Sequence, residues 1–534
     1  MKTTIKNLIL SAVLVVGGAS CVDLDTAPYD RETDLTYWEE DPEAAVKALN
    51  TCYTYLGNMD EQLYCEAMTD NAYTKQPNDA TQNIGNGSYS TADPYVKKVW
   101  DGRYTGIRMC NELLENIDRV PDLDPELKKR YIGEAKVLRA YNYYELYTKF
   151  GDVPYTTKVL SIKESMSIAR TAKATVIANV LADLDEVING NYLPTSYDAD
   201  NKGRITRWAA MAIKAKIYLF EGNWTQVKNI TSTIMTEGGF KLFGSYAGLF
   251  EIANEYNSEV ILDAQYRPTS REHQMMYAFL PPSLGGYSQL SPLQELVDSY
   301  IMLDGKTIRE TGTSFDESNP YANRDPRLKA TVMYTGNSYT LADGTEVVIN
   351  CEKGEGKDGY GVGSDCSATG YYIKKYWDNT YRATLYSGLN PILIRYADIL
   401  LMNAEALVEL GELDKTAWDA TIKPIRDRAG FTLASAVEFP EGASKDKLIE
   451  IVRNERRSEL ALEGHRHKDI IRWRIADDVL NGWCHGLKTN EVVGTDNGYV
   501  RVENRAFNAN KHYLWPIPQA ERDLNGNLVQ NPNW

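Results

Sequence analysis

Residues 208–236 read WAAMAIKAKIYLFEGNWTQVKNITSTIMT. From Trp208 to Phe220 the chain is small or apolar at helical spacing, with alanine at 209, 210, 212 and 215. Gly222 interrupts the pattern, and Trp224 opens a second run to Thr236. This predicts a helix, a short glycine turn and a second helix. The small side chains let the two helices pack closely. The scheme returns later in the chain, as residues 396–410, Gly411 and residues 416–429, with Ala404 and Ala406 as the small contacts.

Such units resemble tetratricopeptide repeats. One unit cannot bury its own apolar face, so units must stack. The two copies are far apart in sequence, which predicts a helical layer of scattered pairs, not a regular solenoid. Further helices are predicted from Asp41-Pro42 through Ala44, Leu49 and Tyr53 to Gly57, over 99–117, over 125–150 with Gly151 as the stop, and over 174–188. From 259 to 391 the chain becomes rich in Gly, Tyr, Asn and Pro. It holds short β-like runs at 260–266 and 346–351 and a turn at Asp343-Gly344. Residues 71–94 form a second such loop. Long insertions with their own turns are usually functional surface. The fold class is therefore mostly α, with helix pairs and a loop-rich, short-strand insertion. The division is a signal peptide over 1–20, an N-terminal helical region over 21–255, and a C-terminal region over 256–534 that carries the insertion at 256–391.

The amino terminus has Lys2 and Lys6, an apolar run over 8–16 broken only by Ser11, then Gly17-Gly18-Ala19-Ser20 and Cys21. That is a secretory signal, too short to span a bilayer as a mature helix. The pattern resembles a bacterial lipoprotein box, departing from it at Gly18, where leucine is usual. An ordinary signal peptide that happens to hold a cysteine is the bland alternative. Diacylation at Cys21 plus a third chain on the new amino terminus gives stable anchoring, since each buried methylene contributes roughly 0.8 kcal/mol. Asp23 and Asp25 follow closely, as in signals that send some lipoproteins to the cell surface.

The chain carries 74 acidic against 58 basic side chains, which speaks against nucleic acid as a partner. Six cysteines remain after Cys21, with no CxxC spacing to suggest a zinc site or redox dithiol. Cys351 and Cys366 flank a glycine-rich stretch and could pair; most of the six are expected to be buried apolar residues. With 36 tyrosines and 10 tryptophans, the chain is rich in rings that have one polar edge, which suit wet, carbohydrate-like or peptide surfaces.

Seven stretches in register carry a family resemblance: GEAKVLRAYNYYELYTKFGDVPY (133–155), GRITRWAAMAIKAKIYLFEGNW (203–224), NRDPRLKAT (323–331), PILIRYADILLMNAEALVELG (391–411), RDRAGF (426–431), IVRNERRSELALEGHRHKDIIRW (451–473) and YLWPIPQAERDLNGNLVQNPNW (513–534). In this order, behind a lipoprotein-like leader, the chain resembles the SusD/RagB family of outer-membrane nutrient-uptake lipoproteins. The resemblance implies a SusD-like helical fold that forms a lid on a SusC-like TonB-dependent transporter. It implies capture of glycans, or in some members peptides, at the cell surface. The helical-repeat side is expected to meet the transporter and the inserted loops to build the ligand cleft. Two loop regions are implicated. In DNAYTKQPND (70–79) the starch-binding member type carries two tryptophans, where Thr74 and Gln76 stand here. Tyr73 is the nearest ring and Asn78 a polar contact. The second region offers His273, Tyr277 and Tyr287, with Tyr287 at the place of an aromatic platform. The loss of both tryptophans argues against starch.

Other motifs read as structure. Arg139, Arg395 and Arg453, with Glu134, Glu405 and Glu455, are expected on helices as ion pairs that hold them together. Pro516, Pro518 and Gln530-Asn531-Pro532 read as an extended tail packed on the body. Glu463-Gly464-His465-Arg466-His467 contains an HxH, but a zinc site needs further ligands. The family pattern accounts for Glu463, Gly464, Arg466 and Asp469 structurally. Asp198 to Gly203 begins like a calcium loop and fails at Lys202 and Ala209, which leaves structural Ca2+ on other loop carboxylates open. No cofactor is expected. There is no GxSxG, and the five histidines offer no obvious nucleophile–base pair. The expected class is a binding protein and not an enzyme. Two rivals stand beside the glycan reading: the same architecture with a peptide ligand, and a helical-repeat scaffold that recruits only proteins.

Overall fold

Cap residues set where the helices begin. The computed structural model describes residues 33–34, 36–75, 81–380 and 383–534; the predicted leader, Cys21, Gln76 and Asn78 lie outside the described residues. Helices α1 (Ala44–Tyr53) and α2 (Met59–Tyr64) come first. Helix α3 (Pro94–Asn116) starts earlier than residue 99, where apolar periodicity begins. The Asp93-Pro94 pair explains the difference. The Asp93 carboxylate accepts the Tyr95 N–H at 3.0 Å, and Pro94 fills the first position, where no N–H is needed. Helix α4 (Pro125–Phe150) follows the same logic, with Asp124 accepting from Leu127 at 2.9 Å. It closes at Gly151, whose φ of 71° a side chain would resist. Helix α5 (Lys173–Asn189) leads to the predicted hairpin, α6 (Arg207–Phe220) and α7 (Trp224–Glu237). Beyond the short α8 (Gln294–Ser299) come α9 (Tyr396–Leu410), α10 (Lys415–Ala429), α11 (Lys445–Glu459) and α12 (Arg466–Arg472).

The two sequence-distant helix pairs are neighbours in space. Helix α7 packs along α9, which in turn packs on α10 and α11. The Asn403 amide donates across the α7–α9 seam to Thr231 Oγ1 (2.9 Å) and Ser232 Oγ (3.1 Å). A layer of scattered pairs is what the repeat pattern predicts.

The strands are short. Strand β1 (Ala72–Thr74) pairs with β3 (Leu290–Pro292), β2 (Val260–Asp263) with β4 (Ile392–Arg395), and β5 (Asn481–Lys488) with β6 (Tyr499–Ala506), all antiparallel. One large apolar core lies among α1 and α3 to α7. A second lies within the insertion, around Phe279, Leu290, Tyr339 and Tyr372. A third joins α9, α10 and α11 around Trp418 and Val452. Among the described residues no helix is long and apolar enough to cross a membrane.

The expected ion pairs differ in partner. Arg395 ends β4 instead of lying on a helix. It is fully buried, and all five of its guanidinium N–H groups are engaged. Nε and Nη2 donate to Glu463 (both 2.7 Å), Nη1 to Glu259 (2.7 Å) and Glu459 (2.6 Å), and Nη2 also to the Glu459 carbonyl (2.7 Å). Arg139 meets Asp183 (2.6 Å), Arg453 meets Glu409 (3.4 Å), Glu134 meets Arg130 and Arg204 (both 3.2 Å), Glu405 meets Arg472 (2.5 Å), and Glu455 meets Arg327 and Arg426 (both 2.7 Å). Arg130–Glu134 is a pair four residues apart within α4, as helix spacing allows; the others form across the tertiary fold, where helix spacing cannot show them.

Cys351 and Cys366 are buried, unpaired thiols. The close cysteines are Cys52 and Cys110, where α1 packs on α3; the neighbouring Cys110, and then burial, push the Cys52 thiol well up. The carboxy-terminal tail docks as expected: the Asn531 amide donates to the carbonyls of Trp515 (2.6 Å) and Phe150 (2.9 Å). Asp198 caps a short turn by accepting the Asn201 N–H at 3.0 Å. His465 and His467 are part-buried, and burial lowers both to about 3, so they are neutral at ordinary pH.

Candidate ligand-binding site

The insertion builds an aromatic platform out of backbone geometry. In the short helix Met275–Phe279, Met275, Met276, Ala278 and Phe279 are buried, and Tyr277 alone remains part-exposed. The chain then folds back on itself. The Tyr287 N–H donates to the Tyr277 carbonyl at 2.8 Å, and the Ser288 N–H to the Leu280 carbonyl at 3.2 Å. Gly286 makes this return possible, because a Cβ there would sit 2.1 Å from the Leu280 carbonyl oxygen. The result is a parallel pair of rings, Tyr277 and Tyr287, with centres 5.8 Å apart and planes 12° from parallel. Tyr386, from a third segment, stands edge-on to Tyr277 at 6.3 Å. Tyr287 is 46% exposed and Tyr386 37%. Large rings left in water on rigid backbone are suited to stacking on another flat apolar face.

Two residues beyond Tyr287 the chain reaches a polar cleft at Gln289. Strand pairing puts Lys75 next to Gln289, whose carbonyl accepts the Lys75 N–H at 2.9 Å. The Gln289 side chain accepts from the Tyr64 hydroxyl at 3.1 Å and forms one wall of a cavity of about 530 Å3. Tyr55, Tyr95, Asp60 and Lys98 line the rest, with Arg103 paired to Glu61. Acids and bases balance there. Three tyrosines, an amide and paired charges converge on a concave space of ligand size, roughly 300–1,000 Å3 in known sites.

The predicted contact residues fall in different places. Tyr277 and Tyr287 come together as the platform. Tyr73 lies half-buried on β1, where its hydroxyl accepts from Gln82 at 3.3 Å; burial raises that phenol. His273 is inside the fold, 6% exposed. Its backbone exchanges two 2.9 Å hydrogen bonds with Ser387, and its Nε2–H donates to the Leu389 carbonyl at 3.2 Å. Burial lowers its imidazole to about 4, so it is neutral at ordinary pH. It holds in place the segment that presents Tyr386. Sequence reasoning missed Tyr386, Gln289 and the cleft residues in the turn after α1 and on α2 and α3. The only signal for Tyr386 is its place in a tyrosine- and glycine-rich insertion. Among the described residues no three His, Cys, Asp or Glu side chains converge as metal ligands do.

Comparisons with known proteins agree with this architecture. The sequence model of the SusD family matches residues 249–534, and one described as starch-binding, associating with the outer membrane, matches residues 37–219. SusD-like protein P25 of Formosa agariphila is 27% identical, covering 99% of this chain and 98% of its own. The crystal structure of a SusD-like carbohydrate binding protein from Bacteroides fragilis is 29% identical, covers 92% of this chain and 100% of its own, and superposes with a TM-score of 0.81. A laminarin-binding SusD-like protein, 24% identical over 92% of this chain and 99% of its own, shares the fold with a TM-score of 0.69. With more than half of its length matched, the chain belongs to the SusD family of outer-membrane-associated binding proteins, and it is not an enzyme.

Proposed function

We propose that this protein is a cell-surface lipoprotein, anchored through Cys21, that binds oligo- or polysaccharide on its loop face. It passes the ligand to a SusC-like TonB-dependent transporter beneath. The observation that carries the reading is the exposed Tyr277–Tyr287–Tyr386 platform together with the charge-balanced cleft at Gln289. A sugar presents an apolar C–H face that a ring can cover, while its hydroxyls take amides and charged groups. Carbohydrate binding by the Bacteroides fragilis relative supports the same reading. Few anchors and an open platform make for weak binding of isolated oligosaccharides. Closure against the transporter then adds the remaining contacts.

The test is migration of soluble residues 22–534 through native gels that contain plant, host or microbial polysaccharides. Retardation by at least one, lost in Tyr287→Ala, supports the reading. Folded protein that no polysaccharide retards, but that retains peptides from a mixed digest, moves the assignment to a peptide ligand. Lipidation is tested separately, by loss of membrane association in Cys21→Ala.

A further inference from the structure

A second ring stands exposed away from the platform. Trp483 is the third residue of strand β5 and is 44% exposed. Arg501, held by Asp496, lies over it with the guanidinium carbon 5.5 Å from the ring centre. A single exposed tryptophan is unremarkable in itself. This one lies on the wall of a cleft of about 420 Å3. Separate elements contribute to the remaining wall, among them Asp298 on α8, Arg309 beyond it, Asn454 on α11, and Asp478, and the whole lining holds four carboxylates against three arginines. Asp298 and Arg309 pair at 2.9 Å, so their charges cancel. None of these residues lines the first cleft.

The chemistry selects the ligand class. A phosphate or polyanion has no surplus of positive charge to meet here. An apolar peptide side chain would meet the indole but gain nothing from the polar groups around it, which are already tied within the protein, Asp298 to Gln294 and Arg309 and the Asn454 amide to the Ser299 carbonyl. A neutral sugar ring satisfies both halves, with its C–H face on the indole and its hydroxyls on Asp298, Arg309, Asn454 and Asp478. We infer that the cleft at Trp483 is a second saccharide subsite, taking a neutral pyranose unit stacked on the indole. The inference rests on the glycan reading above. It adds that a long polysaccharide engages the protein at two separated points, which raises its apparent affinity over that of a short fragment.

The experiment runs the full mature chain through native gels that contain laminarin, starch, xylan or galactomannan. Wild type, Trp483→Ala, Trp483→Phe, Tyr287→Ala and the Trp483→Ala/Tyr287→Ala pair are compared. Apparent affinity is expected to fall about tenfold in Trp483→Ala, which corresponds to about 1.4 kcal/mol, and to recover most of the way in Trp483→Phe. The double variant is expected to bind less than Tyr287→Ala. Hydroxyl-radical footprinting of wild type adds a readout that needs no variant, since bound polysaccharide should protect the peptide that contains Trp483. If Tyr287→Ala weakens binding while Trp483→Ala binds as wild type and Trp483 stays unprotected, the second subsite is wrong and the glycan reading stands. If wild type binds none of the four, both fall together.

Discussion

The joint around Arg395 and the platform around Tyr287 are both assembled from segments far apart in the chain, yet they are built in opposite ways. At the joint, charged side chains from β4, the end of α11, the turn after it and the residue before β2 are enclosed, and every donor of Arg395 has an acceptor. At the platform the rings are part-exposed or exposed, and the fixing is done by backbone hydrogen bonds, a glycine and the Tyr277 hydroxyl, which donates to the Thr384 carbonyl at 3.1 Å. The joint therefore carries stability in its side chains. The platform carries recognition in its side chains and leaves stability to the backbone beneath. Substitutions should separate the two.

The largest effect is expected at the joint. Arg395→Leu leaves Glu259, Glu459 and Glu463 buried with too few partners, and should cost about 3–5 kcal/mol in denaturant melts. A loss below about 1 kcal/mol would show that the network is not what holds these segments together.

Acid should act on the same region. Burial pushes the Glu463 and Asp469 carboxyls up, but Arg395 and Lys375 in the first case, and Arg456 and Arg472 in the second, outweigh it and hold both below their usual values. Groups depressed on folding contribute stability above their unfolded pKa, near 4, and lose it as pH falls through the folded value. The contribution of these two groups should be constant at neutral pH, and thermal stability should drop steadily below about pH 4. A melting point unchanged down to pH 2 would contradict this.

Gly286→Ala probes the platform's backbone. The added methyl must displace the 280–288 turn, at about 1–3 kcal/mol, and should weaken polysaccharide binding along with stability. Tyr287→Ala should reduce binding about tenfold and change stability by no more than about 0.5 kcal/mol. Smallest of all should be Tyr386→Phe, which keeps the ring and removes only an exposed hydroxyl. A strong binding loss in that variant would move recognition from ring faces to hydroxyls.

Much of the helical frame was legible because local signals coincide there. Alanine-rich faces, Asp-Pro starts and glycine stops place 125–150 and 396–410 at their observed bounds. The start of α3 was misread only because periodicity was weighed above the Asp93-Pro94 cap. Ion-pair partners were not legible, since Arg395 finds Glu259, Glu459 and Glu463 through tertiary contacts. The site was half legible. Tyr277 and Tyr287 were singled out, and the structure stacks them. His273 belongs to the same stretch but turns inward, because its polar backbone and ring hold the Tyr386 segment. Nothing local in the sequence says that Gln289, just before β3, lies beside Lys75 and forms a wall of a cleft built from the turn after α1, from α2 and from α3.

The central claim is that the exposed tyrosine platform binds glycan. It is tested most directly by calorimetric titration of residues 22–534 with an oligosaccharide cut from whichever polysaccharide retards the protein in gels, beside Tyr287→Ala at matched melting temperature. The account predicts saturable binding to wild type and an affinity about tenfold lower in the variant. Equal affinity in the two proteins would contradict it and place the ligand elsewhere on the molecule.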